Sequence, residues 1–174
     1  MLNAPYTSYH RYFLLQLFQL LAIGIISFIF NFVIVYFKGN ISSTTNTSNE
    51  PVISWIITIL VASLFETLIF QFGIFHILKA LLKNDDGFFL IYVMTSAILF
   101  DLVHLFVRNN NPVIFIILGF IMTFLGGLVF AVTFHTLYIN GQKPFLTVFL
   151  LHFIYDLFVA LVYKLCLSLG INIV

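Results

Sequence analysis

The sequence predicts an all-α integral membrane protein, a polytopic bundle of about five transmembrane helices. Three observations predict this class. Hydrophobic residues make up 62% of the chain and charged residues only 7%, whereas about a quarter of the residues in soluble domains are charged. The apolar residues also fall into five long stretches that short polar segments separate. The net charge of +1 gives no indication of nucleic-acid binding, and the single cysteine offers no intramolecular disulfide.

Each apolar stretch is long enough to cross a bilayer, because a hydrocarbon core of about 30 Å needs about 20 helical residues. Helices are favoured over strands, since transmembrane strands have about 10 residues and alternate in polarity. The first stretch is too long for the core of a signal peptide, so we expect it to remain as a helix. The five stretches are 12–37, 52–82, 88–107, 113–139 and 145–171.

The connectors between the stretches are polar. The first, 38–51, is rich in Ser, Thr and Asn, and three tight turns at 83–87, 108–112 and 140–144 end in Gly or Pro. The distribution of basic residues over the connectors favours a cytoplasmic N-terminus by a small margin. That orientation places on the inside Arg11, Lys79, Lys83 and Lys143, and on the outside Lys38, Arg108 and Lys164.

Five ionisable side chains interrupt the apolar stretches. Glu66 lies in the second stretch, Asp101 and His104 lie in the third, and His152 and Asp156 lie in the fifth. An ionisable group at membrane depth is costly unless it faces the bundle interior or water and finds a partner. These groups can offset the free-energy cost of one another's burial only if their helices converge on a shared hydrated cavity. We therefore expect such a cavity.

Helical spacing supports this convergence. His152 and Asp156 are four residues apart, and Asp101 and His104 are three apart, so each pair shares a helix face. Asp101 is equally well explained as an internal partner of His104.

Other polar residues fit this site less well. Gln71 is five residues after Glu66, which places it roughly 140° around an α-helix. His76 and His135 have no acidic partner at helical spacing, so we expect them to be packing residues.

The residue types of the cluster suit hydrolysis by either of two routes. A carboxylate such as Glu66 can take a proton from water as a general base, and a histidine can donate to a developing oxyanion. Asp156 can hold His152 in one tautomer. Alternatively, Glu66, His104 and His152 can bind Zn²⁺ with an open position. The H-E-x-x-H, G-x-S-x-G and P-loop motifs are absent.

The order of these residues resembles the CAAX-protease and bacteriocin-processing (CPBP, or Abi) family of intramembrane proteases. Three motifs are typical of that family: E-E-x-x-x-R, F-x-x-x-H and H-x-x-x-N/D. Phe100 and His104 match the second motif, and His152 and Asp156 match the third. Glu66 matches the first residue of the first motif. The resemblance covers residues 55–165.

The first motif departs from the family pattern. Thr67 stands where the family has a second Glu, and Gln71 stands in place of the Arg. The resemblance implies that Glu66 activates water, with Thr67, Gln71, Phe100 and Asp101 in supporting positions. Hydrogen bonds from Thr67 and Gln71 are weaker than an Arg–carboxylate pair, so the resemblance predicts impaired activity.

The resemblance implies an intramembrane (metallo)endopeptidase in a bacterial plasma membrane. Its substrate would be a membrane-associated peptide or a prenylated protein, cleaved with or without zinc. It also implies one transmembrane domain over 1–174, with a CPBP-like core at 52–171 and an additional N-terminal helix at 12–37. The alternative is a weak or inactive family member that acts in bacteriocin immunity or as a scaffold.

A small transporter that uses Glu66 and Asp156 as proton-linked groups is a third hypothesis. The sequence shows no inverted repeat of the kind that many transporters have. One geometric difficulty faces the single-site hypothesis. In a simple up-and-down bundle His104 and His152 would differ in depth by roughly 10 Å, so the helices must be staggered or the segment 108–112 must enter the cavity.

Overall fold

The computed structural model describes residues 6–38, 52–82, 87–107 and 113–168, and every regular element in these ranges is a helix. The elements in chain order are α1 (Tyr6–Lys38), α2 (Val52–Glu66), a π-helical segment (Thr67–Gly73), α3 (Ile74–Leu82), α4 (Phe88–Val107), α5 (Val113–Ile139) and α6 (Pro144–Ser168). Because α2, the π-helical segment and α3 follow one another without a break, they form one long element.

Within these ranges, five helical elements are long and apolar enough to cross a membrane. They are Arg11–Phe30, Ile53–Leu82, Phe88–Leu105, Ile116–Ile139 and Pro144–Cys166. The predicted fold class is confirmed, and the chain is a multi-pass membrane protein. Large apolar side chains cover much of the outer surface, as Phe18 (70% exposed) and Ile53 (70% exposed) illustrate. In a bilayer these side chains meet lipid.

The predicted bounds of the second, third and fourth stretches are confirmed, whereas those of the first and fifth differ from the observed helices α1 and α6. The first helix begins at Tyr6 and not at 12, and near its start the Tyr9 hydroxyl lies 2.6 Å from Thr147 Oγ1 of α6. Counting apolar residues locates only the part of a helix that crosses lipid. The predicted connectors 39–51, 83–86 and 108–112 and the last residues of the fifth stretch, 169–171, lie outside the described residues.

The predicted turn at 140–144 is confirmed. Gly141 has φ 65°, a left-handed conformation that favours glycine. Its N–H donates to the Tyr138 carbonyl over 3.1 Å, and the Gln142 N–H donates to the Leu137 carbonyl over 3.0 Å. These two bonds form a Schellman motif, which ends α5. Pro144 then begins α6, where its missing N–H costs nothing.

The second membrane-crossing element contains a feature that the sequence pattern did not predict. Its hydrogen bonding changes from α-helical to π-helical over Thr67–Gly73, and the Ile74 N–H donates to the Ile69 carbonyl five residues back. A side chain on Gly73 would place its Cβ 3.1 Å from the Leu68 carbonyl oxygen, so glycine relieves crowding at the end of this segment. π-Helical turns are rare and occur frequently at functional sites.

Helix α4 binds the π-helical segment through two side chains. Ser96 Oγ donates to the Phe70 carbonyl over 2.7 Å, and the Tyr92 hydroxyl donates to the Gln71 carbonyl over 3.3 Å. Both donors are fully buried. A neighbouring helix therefore supplies side-chain donors to two carbonyl groups of the π-helical segment, in keeping with the need to satisfy backbone groups inside a membrane.

Two glycines bring the remaining helices close together. Gly127 lets α5 approach α4, because a Cβ there would lie 3.1 Å from Ala97 Cα. Gly24 lets α1 approach α6, where a Cβ would lie 3.4 Å from the rings of Tyr155 and Phe158. Small residues allow the same close approach in other membrane bundles.

His76 and His135 lie among aromatic side chains, as expected for packing residues. The ring centroid of His135 is 4.8 Å from that of Phe89. His76 Nδ1 lies 2.8 Å from the Phe72 carbonyl oxygen.

Candidate active site

Glu66, the last residue of α2, is the point on which two histidines from other helices converge. Its Oε2 atom lies 3.3 Å from His152 Nε2 on α6 and 3.7 Å from His104 Nε2 on α4. Oε2 is buried, while 24% of the Glu66 side-chain surface remains exposed. The structure thus brings together ionisable residues that the sequence places on three separate membrane helices.

The expected difference in depth between the two histidines is wrong. The ring of Phe100 lies 4.5 Å from that of His104 and 5.5 Å from that of His152, centroid to centroid. The estimate assumed helices with aligned ends, whereas both Nε2 atoms lie within 3.7 Å of Glu66 Oε2. Staggered helices remove the difficulty, and the alternative, entry of 108–112 into the cavity, lies outside the described residues.

His152 is held at both ring nitrogens. Its Nε2 atom lies 3.3 Å from Asp156 Oδ2 and 3.3 Å from Glu66 Oε2, which is within ion-pair distance of two carboxylates, and Glu66 Oε2 has no hydrogen-bond partner among the described residues. Nδ1 lies 3.4 Å from Thr67 Oγ1. The residue is 1% exposed. Burial and contacts at both nitrogens therefore hold the His152 ring in one orientation.

Ser63 extends this network by one residue. Its Oγ lies 2.7 Å from Asp156 Oδ2 and 2.9 Å from the Ile59 carbonyl oxygen. The hydroxyl has one proton, and the bond to the charged carboxylate is the stronger of the two. The sequence reasoning missed Ser63, although its position three residues before Glu66 places both on one helix face.

His104 is held at one nitrogen only. Its Nδ1 lies 2.8 Å from the Phe100 carbonyl oxygen. A carbonyl oxygen only accepts, so Nδ1 carries a proton. Nε2 then has a free lone pair in the neutral ring, and it becomes a donor when the ring is doubly protonated. The side chain is 26% exposed, so this nitrogen lies at the accessible side of the cluster.

Comparison with known protein families identifies the family to which this chain belongs. A family model described as type II CAAX prenyl endopeptidase Rce1-like matches residues 48–158, more than half of the chain. This chain belongs to that family. No curated protein and no solved structure gives a significant match to the chain. The resemblance drawn from the three motifs is confirmed, and α1 precedes the residues that the CAAX endopeptidase model matches.

The two positions at which this member of the CAAX endopeptidase family departs from the first motif have different surroundings. Thr67 contacts His152, whereas neither side-chain amide atom of Gln71 has a hydrogen-bond partner among the described residues. Both side chains are fully buried. The expected 140° between Glu66 and Gln71 is wrong, because it assumed α-helical geometry. Residues five apart in a π-helical turn are stacked much as residues four apart are in an α-helix.

Two buried aromatic rings pack against the histidines of the site. Phe130 of α5 lies 4.5 Å from the His152 ring, and Phe100 packs against both histidines. Both phenylalanines are buried. Phe100 was predicted as a supporting residue from the second motif. Phe130 was missed, because a phenylalanine in a chain with 23 of them gives no sequence signal.

Asp101 joins two helices at the edge of the site. It is fully buried on α4 and accepts a hydrogen bond from Thr123 Oγ1 of α5. A buried carboxylate requires such a donor. The sequence reasoning missed Thr123, which lies 22 residues away along the chain.

A cavity of about 170 Å³ adjoins the cluster between α4, α5 and α6. His104 and Asp156 form its polar wall, together with Thr123. The residues that line it are Phe100, His104, Met122, Thr123, Gly126, Phe130, Tyr155, Asp156 and Val159. The expected cavity beside the ionisable residues is therefore present.

Zinc binding by Glu66, His104 and His152 stays a prediction. Tetrahedral zinc needs three or four ligand atoms about 2.0–2.2 Å from the ion when they are nitrogen or oxygen. In the part of the chain that the structure describes, no three His, Cys, Asp or Glu side chains form a group that could hold a metal ion. Glu66 Oε2 and His152 Nε2 lie 3.3 Å apart, and two ligands of one tetrahedral zinc ion are separated by a similar distance.

Proposed function

We propose that this protein is an intramembrane endopeptidase that hydrolyses a peptide bond with a water molecule activated by Glu66. One observation carries the proposal: Glu66 Oε2 lies within 3.7 Å of ring nitrogens from two other helices, beside a cavity in the membrane-spanning bundle. A carboxylate held in this way is placed to accept a proton from water. Membership of a protease family supports the same chemistry.

The proposed reaction uses the side chains of the cluster in turn. Glu66 takes one proton from water, and the resulting hydroxide attacks the carbonyl carbon of the substrate. His104 is doubly protonated, and its Nδ1–H is bound to the Phe100 carbonyl. Its Nε2–H donates a hydrogen bond to the oxyanion and keeps its proton. Glu66 then returns its proton to the leaving amine, so that a carboxylic acid and an amine are released and the enzyme is unchanged.

His152 and Asp156 position the base in this scheme. The Nε2 proton of His152 faces Glu66, and Asp156 fixes the ring from the next turn of α6. Ser63 in turn holds Asp156. A base whose supporting groups are themselves fixed keeps its geometry through the reaction.

The proposed substrate is a membrane-associated peptide, with a prenylated C-terminus as the first candidate because the family is described as prenyl endopeptidases. We propose a bacterial plasma membrane as the location, with the N-terminus inside. The basic residues Arg11, Lys79 and Lys143 support this orientation, since the helix order places them at one end of the bundle.

Replacement of Glu66 by Gln tests the proposal. The purified protein in proteoliposomes, given an S-farnesylated peptide, should release the C-terminal fragment, and Glu66→Gln should abolish release, because an amide cannot take the proton. The thermal unfolding midpoint should remain close to that of the wild type. Lys143→Gln, at the exposed turn before α6, is the charge-changing control. Cleavage by Glu66→Gln at the wild-type rate would exclude Glu66 as the base.

A second candidate function is a binding protein of the same family, acting in bacteriocin immunity or as a scaffold. The buried amide of Gln71 favours it, because no described residue hydrogen-bonds this side chain where the family motif has an arginine. In this case Glu66→Gln would keep the phenotype of the wild type in cells that express it, and no peptide would be cleaved.

A further inference from the structure

The two adjacent glycines in the middle of α5 have opposite surroundings. A Cβ on Gly127 would lie 3.1 Å from Ala97 Cα and 3.2 Å from Phe100 Cδ1, so helix packing explains this glycine. Gly126 is also buried, yet a Cβ there would meet no heavy atom within 4 Å. Helix packing therefore does not require Gly126, although a glycine weakens a helix relative to alanine.

The space in front of Gly126 is the cavity beside the ionisable cluster. Gly126 is one of its lining residues, and His104 and Asp156 are two others. A residue that is buried and faces open space must border an internal cavity, so two separate observations agree on this geometry. Any side chain at position 126 would take up part of the cavity.

The walls of the cavity show what it would accept. Met122, Phe130 and Val159 are apolar, whereas the side that borders the cluster contains His104 and Asp156. An apolar group attached to a peptide backbone matches this division, with the backbone at the polar side that His104 and Asp156 form. The volume of about 170 Å³ compares with that of an apolar cavity of about 150 Å³ that takes up benzene. This volume suits one apolar side chain better than an isoprenoid chain of several prenyl units.

We propose that Gly126 is a specificity-determining residue. By lacking a side chain, it opens a subsite for one apolar side chain of the substrate, no larger than that of phenylalanine, next to the bond that is cleaved. The inference rests on the proposed peptidase function and assigns the cavity to a side chain of the peptide and not to its lipid group.

The experiment uses the full-length protein in proteoliposomes and S-farnesylated peptides in which each of the three residues after the cysteine is in turn Ala, Leu or Phe. The ratio of kcat/KM for the Phe or Leu peptide to that for the Ala peptide is measured at each position. Gly126→Ala and Gly126→Leu shrink the cavity, and Met122→Ala enlarges it. Leu125→Phe adds bulk on the adjacent lipid-facing position, which is 38% exposed, and serves as the matched control.

At one of the three positions, the wild type should prefer Leu or Phe over Ala. Gly126→Leu should lower that ratio by at least about tenfold, the scale of a single methylene in a hydrophobic pocket, with Gly126→Ala intermediate. Met122→Ala should raise the ratio for Phe, and Leu125→Phe should leave every ratio unchanged. Ratios that Gly126→Ala and Gly126→Leu leave unchanged at all three positions would overturn the proposal, as would an equal shift caused by Leu125→Phe.

A second measurement separates this inference from the proposed function. The dissociation constants of the same peptides are measured for Glu66→Gln protein, with and without Gly126→Leu, so that no cleavage is needed. A preference for Phe or Leu that disappears with Gly126→Leu supports the subsite even if no variant cleaves any peptide. The absence of such a preference, or of peptide binding, overturns the subsite whether or not the wild type is a peptidase.

Discussion

The two histidines of the site are the same residue type in contrasting surroundings. His152 is 1% exposed, contacts two carboxylates through Nε2 and Thr67 through Nδ1, and packs against Phe130. His104 has a side chain that is 26% exposed, and one of its nitrogens is bound by a backbone carbonyl. Contacts at both nitrogens hold the His152 ring, whereas the His104 ring has Nε2 at the accessible side of the cluster.

This difference separates two kinds of contribution to a catalytic site. A ring whose two nitrogens already have partners cannot bind a substrate without losing one of them, so His152 is suited to hold Glu66 and Asp156 in place. A ring with one nitrogen at an accessible position can meet a substrate oxygen, so His104 is suited to stabilise developing charge. Replacement of His152 should therefore lower both stability and activity, whereas replacement of His104 should lower mainly activity.

Replacement of His152 by Ala should have the largest effect. It removes the donor between Glu66 and Asp156 and leaves their carboxylates facing each other in a largely buried site, which for a broken buried ion pair costs roughly 3–5 kcal/mol. We expect loss of peptide cleavage and a strong decrease in the thermal unfolding midpoint in detergent. Differential scanning fluorimetry and the farnesyl-peptide assay measure the two effects.

His135→Ala is the matched control for this variant. His135 also packs among aromatic rings, but it lies outside the cluster around Glu66. Its replacement should lower the midpoint less and should preserve cleavage. An unfolding midpoint for His152→Ala equal to that of the wild type would show that the contacts of His152 do not stabilise the bundle.

Replacement of His104 by Ala should affect activity much more than stability. Loss of one donor to an oxyanion typically lowers kcat by about 10²–10³-fold. The fold loses one hydrogen bond to a backbone carbonyl, which contributes about 1 kcal/mol. Steady-state kinetics should show a lower kcat with a similar KM. Scanning fluorimetry should show a small change in the thermal unfolding midpoint. A decrease in midpoint as large as that of His152→Ala would remove the distinction between the two histidines.

The sequence predicted those parts of this structure that depend on composition and on spacing within one helix. The five membrane-crossing elements follow from apolar length alone. The pairing of His152 with Asp156 follows from a spacing of four residues. Both predictions hold because the relevant physics, burial of a helix in lipid and the geometry of one helical turn, is local.

Features that arise between helices were not predictable in the same way. The π-helical segment has side-chain donors from α4, Ser96 and Tyr92, and no pattern within 67–73 indicates them. The closeness of His104 and His152 to Glu66 depends on how α4 and α6 are placed relative to each other, which spacing within one helix does not show. Thr123 was missed for the same reason, since its partner Asp101 lies on another helix.

Replacement of Thr67, which contacts Nδ1 of the His152 ring, should have the smallest effect. Thr67→Val keeps the shape of the side chain and removes the hydroxyl that lies 3.4 Å from His152 Nδ1. A long contact of this kind contributes less than about 1 kcal/mol, and the carboxylates at Nε2 still orient the ring. We therefore expect nearly wild-type stability and a small decrease in kcat, because Nδ1 loses the hydroxyl that helps fix its protonation state. Thr67→Ser, which keeps the hydroxyl, should restore the wild-type rate. A loss of cleavage by Thr67→Val as complete as that of His152→Ala would mean that the contact at Nδ1, and not the pair of carboxylates, is what fixes this histidine.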